Sequence, residues 1–148
     1  TNIPLLLKIS PDIDEDYINN IVDISISNKI SGLILANTSN KHREKLNDQL
    51  KNEEGGLSGE PLQKISNNLI KKFYNLLKGK IPIIGVGGIN SGESAYEKIL
   101  AGASLLQLYT GMVYKGPMLI KNIKNELIQI IKSEGYSNLK DVIGKGSN

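Results

Sequence analysis

The sequence predicts an α/β fold of four consecutive strand-helix units sharing one parallel sheet. Two observations carry this. Short apolar runs alternate with longer amphipathic stretches, the pattern of repeated β-α units. The apolar runs are also near-continuous, as expected of parallel strands covered on both faces. Such repetition suits either a barrel or a doubly wound sheet. A complete barrel takes roughly 250 residues, so this chain of 148 residues would supply about half of one.

The first strand is expected at Leu5–Ile9, followed by a helix over about Asp14–Asn28. Asp12 and Glu15, three apart, form a capping-box-like pair at its start. The second strand is Gly32–Ala36. A polar loop runs from Asn37 to Gly59, and a helix from about Pro61 to Lys78. Pro61 suits the first helical turn and Gly79 the C-cap. Pro82–Val86 is the third strand, with a short helix near Glu93–Leu100 closed by Gly102. Ser104–Tyr109 is the fourth, with a helix around Leu119–Ser133. The tail, Glu134–Asn148, has room for one more helical turn.

Composition narrows the function. The chain is 39% hydrophobic and 22% charged, ordinary for a soluble globular protein. Its net charge is only +3, and the lysines are interspersed with acidic residues, which argues against a nucleic-acid surface. Without cysteine there are no disulfides and no thiolate metal sites. The apolar runs are too short to span a bilayer, and no signal peptide is evident. The sequence opens on a core strand without a preceding cap, and we expect it to continue a longer chain.

Polar and glycine residues gather at the C-terminal ends of the strands: Lys8 and Ser10, Asn37 and Thr38, Gly87 and Gly88, Tyr109 and Thr110. In a barrel these ends form one rim, where active sites are built. Lys8 interrupts an apolar strand, and a cation there is costly without a negative partner. Either its head snorkels to the rim, or it is held against a cofactor anion or phosphate. Gly85-Val86-Gly87-Gly88 follows a strand and precedes Ser91-Gly92 and a helix. Glycines admit close backbone approach, and a helix N-terminus offers amides to phosphate. With Tyr109–Gly111 as a second loop, this predicts phosphate binding in preference to a plain structural turn. The dinucleotide fingerprint is not met. Gly55–Gly59 is either a flexible loop or a functional one. Asn37-Thr38 is either a turn or a set of donors and acceptors for a planar polar ligand. His42 reads as a solvated loop residue. Asp12, Asp14, Glu15 and Asp16 suit a helix start rather than a metal site. No Ser-His-Asp or metal constellation can be assembled.

Taken together, Leu6–Asp12 (LLKISPD), Glu54–Gly59 (EGGLSG), Ile81–Gly92 (IPIIGVGGINSG) and Ala101–Thr110 (AGASLLQLYT) resemble the dihydroorotate dehydrogenase family, across essentially the whole chain. Ser133–Tyr136 and Asp141–Gly144 resemble its quinone-linked, membrane-associated class. The resemblance implies a TIM-type (β/α)8 barrel, of which residues 1–148 would be the C-terminal half, its last four β-α units. It implies FMN as cofactor, oxidation of dihydroorotate to orotate in pyrimidine synthesis, and a quinone as electron acceptor. Lys8 matches the family lysine beside the flavin ring, where its charge stabilises the reduced, anionic flavin. Asn37 and Thr38 match residues that bind the orotate ring. Ser58 and Gly59 match the loop near the flavin, and Gly87, Gly88, Tyr109 and Thr110 the FMN phosphate cradle. Met112, Val113 and Tyr114 lie where the class borders its quinone tunnel; read plainly, they pack the last helix onto the barrel. The family's serine base and its membrane-contacting helical pair have no counterpart in this chain. Ala36 stands where many relatives carry a hydroxyl. The class implies a peripheral membrane protein, on the cytoplasmic face of a bacterial inner membrane or in the mitochondrial inner membrane.

Two other readings stay open on the sequence. One is a soluble relative passing electrons to fumarate or a nicotinamide. The other is a non-catalytic half-barrel that binds phosphate or serves in assembly. An isolated half would expose strand edges and so aggregate or dimerise.

Overall fold

The computed structural model describes residues 3–41, 43–44 and 46–147, so His42 lies outside the described residues. Four strands are present: β1 (Leu6–Ile9), β2 (Gly32–Leu35), β3 (Ile83–Val86) and β4 (Leu105–Gln107). Their order in the sheet is β1-β2-β3-β4, and every pairing is parallel. A doubly wound sheet reverses direction at a switch point. The unbroken sequential order is instead that of consecutive barrel units.

Helices α1 (Asp16–Ser27), α2 (Gln63–Leu77) and α3 (Gly92–Leu100) follow the first three strands. After β4 come a short helix, α4 (Thr110–Lys115), and then α5 (Met118–Ser133). Pro61 sits in a 3₁₀ turn, Glu60–Leu62, that leads into α2. The left-handed end of α2 falls on Lys78 itself, the C-cap, and Gly79 continues it. Helix α4 had no counterpart in the sequence reading, which ran strand through to Tyr109. Tyr109 is instead the residue before α4. The tail does add one turn, Leu139–Asp141. Its last residues close over the end of α3: the amides of Gly144 and Gly146 donate to the carbonyls of Ile99 and Leu100.

One core lies between the sheet and the first two helices. Leu33, Leu35 and Ile83 pack there with Ile18, Val22, Ile70 and Phe73. A second cluster, Ile89, Ala95, Leu119 and Ile123, joins α3 to α5. Coverage on both faces, expected of every strand, holds only for the central pair. Leu6 and Leu7 in β1 are exposed, and Leu105 in β4 is 61% exposed. Each of these strands has a single neighbour among the described residues, so an apolar flank lies open along each edge. No helix among the described residues is long and apolar enough to cross a membrane.

Candidate functional site

Because the strands are parallel, their C-terminal ends meet on one side. There they border a cleft of about 690 Å³, within the range of roughly 300–1,000 Å³ usual for small-molecule sites. Lys8, Asn37, Thr38, Ser58, Gly59, Gly87, Gly88, Tyr109 and Thr110 all line it. The residues assigned to the flavin and orotate sites are therefore brought to one place, while Ser10, Met112 and Val113 are not among the lining. The backbone fixes the rim: the Asn37 amide donates to the Ile9 carbonyl (3.0 Å) and the Ala36 amide to that of Val86 (3.2 Å). Lys8 is exposed and makes no ion pair among the described residues. The ionisable lining comprises two lysines, Lys8 and Lys115, against one carboxylate, Glu60, apart from two tyrosines. That balance favours an anionic ligand.

The polar loop after β2 leaves the rim and returns to it. Ser39 and Leu57 pair by two backbone bonds of 3.0 and 2.7 Å, closing the excursion at its neck. Asp12 secures the same neck by accepting the Ser39 hydroxyl and the Asn40 amide. This corrects the capping-box reading: Asp12 binds the loop, α1 has no side-chain cap, and Glu15 pairs with Lys72 on α2. Within the loop, the Arg43 guanidinium donates to the carbonyls of Lys51, Glu53 and Gly55. A Cβ on Gly56 would collide with the Thr38 side chain, so glycine lets the returning strand lie directly over Thr38. Across the cleft, the Thr110 hydroxyl donates to Ser58 Oγ at 3.0 Å, tying the fourth unit to this loop.

Gly87 and Gly88 both have positive φ, 110° and 74°, a region side chains rarely adopt. Gly88 also abuts the start of α2, where an added Cβ would come within 2.7 Å of Gln63 Cα. Gly85 belongs to a different structure from these two. It is a buried position of β3, and the stem of Lys98 occupies the space a side chain would need, 2.7 Å from an added Cβ. Of the amides at the start of α3, expected to serve a phosphate, those of Gly92 and Ser94 already have side-chain partners. The Gly92 amide donates to the Glu126 carboxylate, and Ser91 and Ser94 cap each other. Val113 and Tyr114, read either as packing residues or as the border of a quinone tunnel, are 65% and 85% exposed, so they do not pack the last helix. Tyr114 lines the cleft, and Val113 precedes it in α4.

The sequence reading missed Asn90 and Lys115. Asn90 lies two residues beyond Gly88, and its carbonyl accepts the Lys115 ammonium at 2.9 Å. Only the turn of α4 brings Lys115 back over that loop. It also missed Lys98, fully buried between α2 and α3, because a lysine in an amphipathic helix ordinarily reads as solvent-facing.

Comparison with known proteins gives a consistent answer. The model of the family described as dihydroorotate dehydrogenase matches residues 1–131. The mitochondrial dihydroorotate dehydrogenase (quinone) of Arabidopsis thaliana is 44% identical over 95% of the chain. The corresponding proteins of Xanthobacter autotrophicus and Mus musculus are 40% and 43% identical, each also over 95% of it. The chain spans only 31%, 40% and 35% of the length of these relatives, respectively. Among solved structures, ligand-free DHODH of Eimeria tenella superposes with a TM-score of 0.94 at 38% identity, covering 97% of this chain and 40% of that one. The ferulenol complex of the Eimeria tenella enzyme gives 0.91, also at 38% identity, covering 95% and 37%. The match to the family model over most of its length shows that the chain belongs to the dihydroorotate dehydrogenase family.

Proposed function

We propose that this chain is the C-terminal half of a quinone-linked dihydroorotate dehydrogenase and carries part of its FMN and orotate sites. The carrying observation is the convergence of Lys8, Asn37, Thr38, Ser58, Gly59, Gly87, Gly88, Tyr109 and Thr110 on one cleft. The residues fit FMN. The left-handed Gly87 and Gly88 keep side chains out of the way of a phosphate, and Tyr109 and Thr110 border the same spot. Gly59 leaves the gap beside Thr110 open, since a Cβ there would lie 3.0 Å from Thr110 Cγ2.

FMN, when bound, would supply the redox chemistry between dihydroorotate and a quinone; this chain's residues would bind, orient and polarise it. Lys8 carries a positive charge at the end of β1, lining the cleft, where it would stabilise negative charge on a reduced flavin. Asn37 and Thr38, held at the neck of the loop, offer amide and hydroxyl groups to the orotate ring. No catalytic base is assigned within this chain; the serine base is expected in the other half. The exposed Val113 and Tyr114 beside the cleft suit the approach of a lipid-soluble quinone, which binds mainly by apolar burial. The open flanks of β1 and β4 suit pairing with the rest of a barrel, and membrane contact belongs to a part of the protein outside this chain.

The test is electron-acceptor selectivity of the complete protein. Dihydroorotate oxidation coupled to ubiquinone or menaquinone analogues is expected. Turnover with fumarate or NAD alone would point to the soluble classes, and absence of bound flavin to a non-catalytic half-barrel.

A further inference from the structure

The lysine on α3 that fills the place of a Gly85 side chain is unusual. Lys98 is fully buried, and a buried ammonium persists only with hydrogen-bond partners. Two partners come from α2: Ser66 Oγ at 3.0 Å and Asn67 Oδ1 at 2.7 Å. Ser66 is itself buried, and its hydroxyl donates a hydrogen bond to the carbonyl of Val86, the residue before Gly87. A chain of hydrogen bonds thus runs from α3 through α2 to the backbone of the glycine loop. The same turn of α2 props that loop sterically. Ser66 Cβ lies 3.4 Å from where a Gly87 Cβ would be, and the Gln63 backbone occupies the space a Gly88 Cβ would need. Around the lysine, Gln63 and Asn67 also hold the neighbouring Glu97 carboxylate, at 2.8 and 3.4 Å.

We propose that Lys98, acting through Ser66, is a positioning residue that fixes the Val86–Gly88 backbone against the ligand's phosphate. The physical reason is direction. A serine hydroxyl has one proton, and a donor behind its oxygen polarises the O–H and holds it on the Val86 carbonyl. The Lys98 amine lies behind that oxygen with N–H groups to donate, so it sets the polarity of the chain. This rests on reading Gly87 and Gly88 as the FMN phosphate cradle, and the experiment separates the two claims.

Binding of FMN and of riboflavin, which lacks the phosphate, is measured by flavin fluorescence in the apo form of the complete protein. Wild type, Lys98→Met and Ser66→Ala are compared. Wild type is expected to prefer FMN by more than about tenfold, the effect of one or two charge-assisted hydrogen bonds. Each variant should lose about tenfold in FMN affinity while riboflavin affinity changes less than about twofold. Equal losses for both flavins would overturn the positioning role in favour of general destabilisation, and unchanged FMN affinity would also overturn it. If wild type binds both flavins alike, the phosphate cradle itself is wrong and the proposal falls with it. Ser66→Ala keeps the lysine and decides the question should Lys98→Met not fold.

Discussion

The carboxylate of Asp12 accepts the buried Ser39 hydroxyl at 2.5 Å and the Asn40 amide at 2.7 Å. A residue from the turn after β1 therefore holds the root of the loop after β2, on which Thr38, Ser58 and Gly59 depend. Asp12→Ala leaves two donors without their charged acceptor, and we expect a loss of about 1.5–3 kcal/mol in stability. Urea unfolding measures that loss, and limited proteolysis should show faster cleavage within residues 46–56. Unchanged stability and unchanged cleavage would mean that the neck is held by the Ser39–Leu57 pairing alone.

Gly88→Ala meets two obstacles. A left-handed backbone costs a side chain about 1–2 kcal/mol, and displacing the Gln63 backbone adds about 1–3 kcal/mol of overpacking. We expect a lower melting temperature and reduced flavin content in the purified complete protein. Native values of both would show that the α2 start can shift aside freely.

Burial lowers the pKa of Lys98 from its usual 10.5 to about 7, with the nearby Glu97 carboxylate opposing the shift. The unfolded chain thus binds the proton more tightly than the folded one. The destabilisation is fully present below about pH 7 and lifts as the pH rises toward 10.5. Between pH 7 and 9 we expect wild-type stability to rise by about 1 kcal/mol per pH unit relative to Lys98→Met. Parallel pH profiles for the two proteins, from urea unfolding, would contradict it.

Much of the fold was legible because its signals are local and repeated. Apolar runs, Pro61 and the terminating glycines mark out the β-α units, and the strand ends name the rim. What escaped depends on contacts distant in sequence. Asp12 looked like a helix cap because nothing local reveals that Ser39, 27 residues on, needs its carboxylate. Gly85 looked like part of the ligand loop because the stem of Lys98 is what requires it. Helix α4 was hidden by the apolar run through Tyr109, and with it the return of Lys115 to Asn90.

The exposed face of α4 gives a separable prediction. Val113→Glu places a charge beside the cleft, where a quinone would approach. It should slow reoxidation of the flavin by quinone analogues while leaving reduction by dihydroorotate nearly intact. Following the two half-reactions separately checks this, and equal effects on both would remove the case for a quinone site at α4.

The most direct test concerns Lys8, whose position at the end of β1 links the cleft to the proposed chemistry. In the complete protein, flavin reduction by dihydroorotate is followed by stopped flow for wild type and Lys8→Ala, with FMN content and thermal melts alongside. The expected result is normal folding with the reduction barrier raised by about 2–4 kcal/mol, as for removal of one preorganised charged donor. An unchanged reduction rate at full FMN content would contradict the assignment of this cleft as the flavin site.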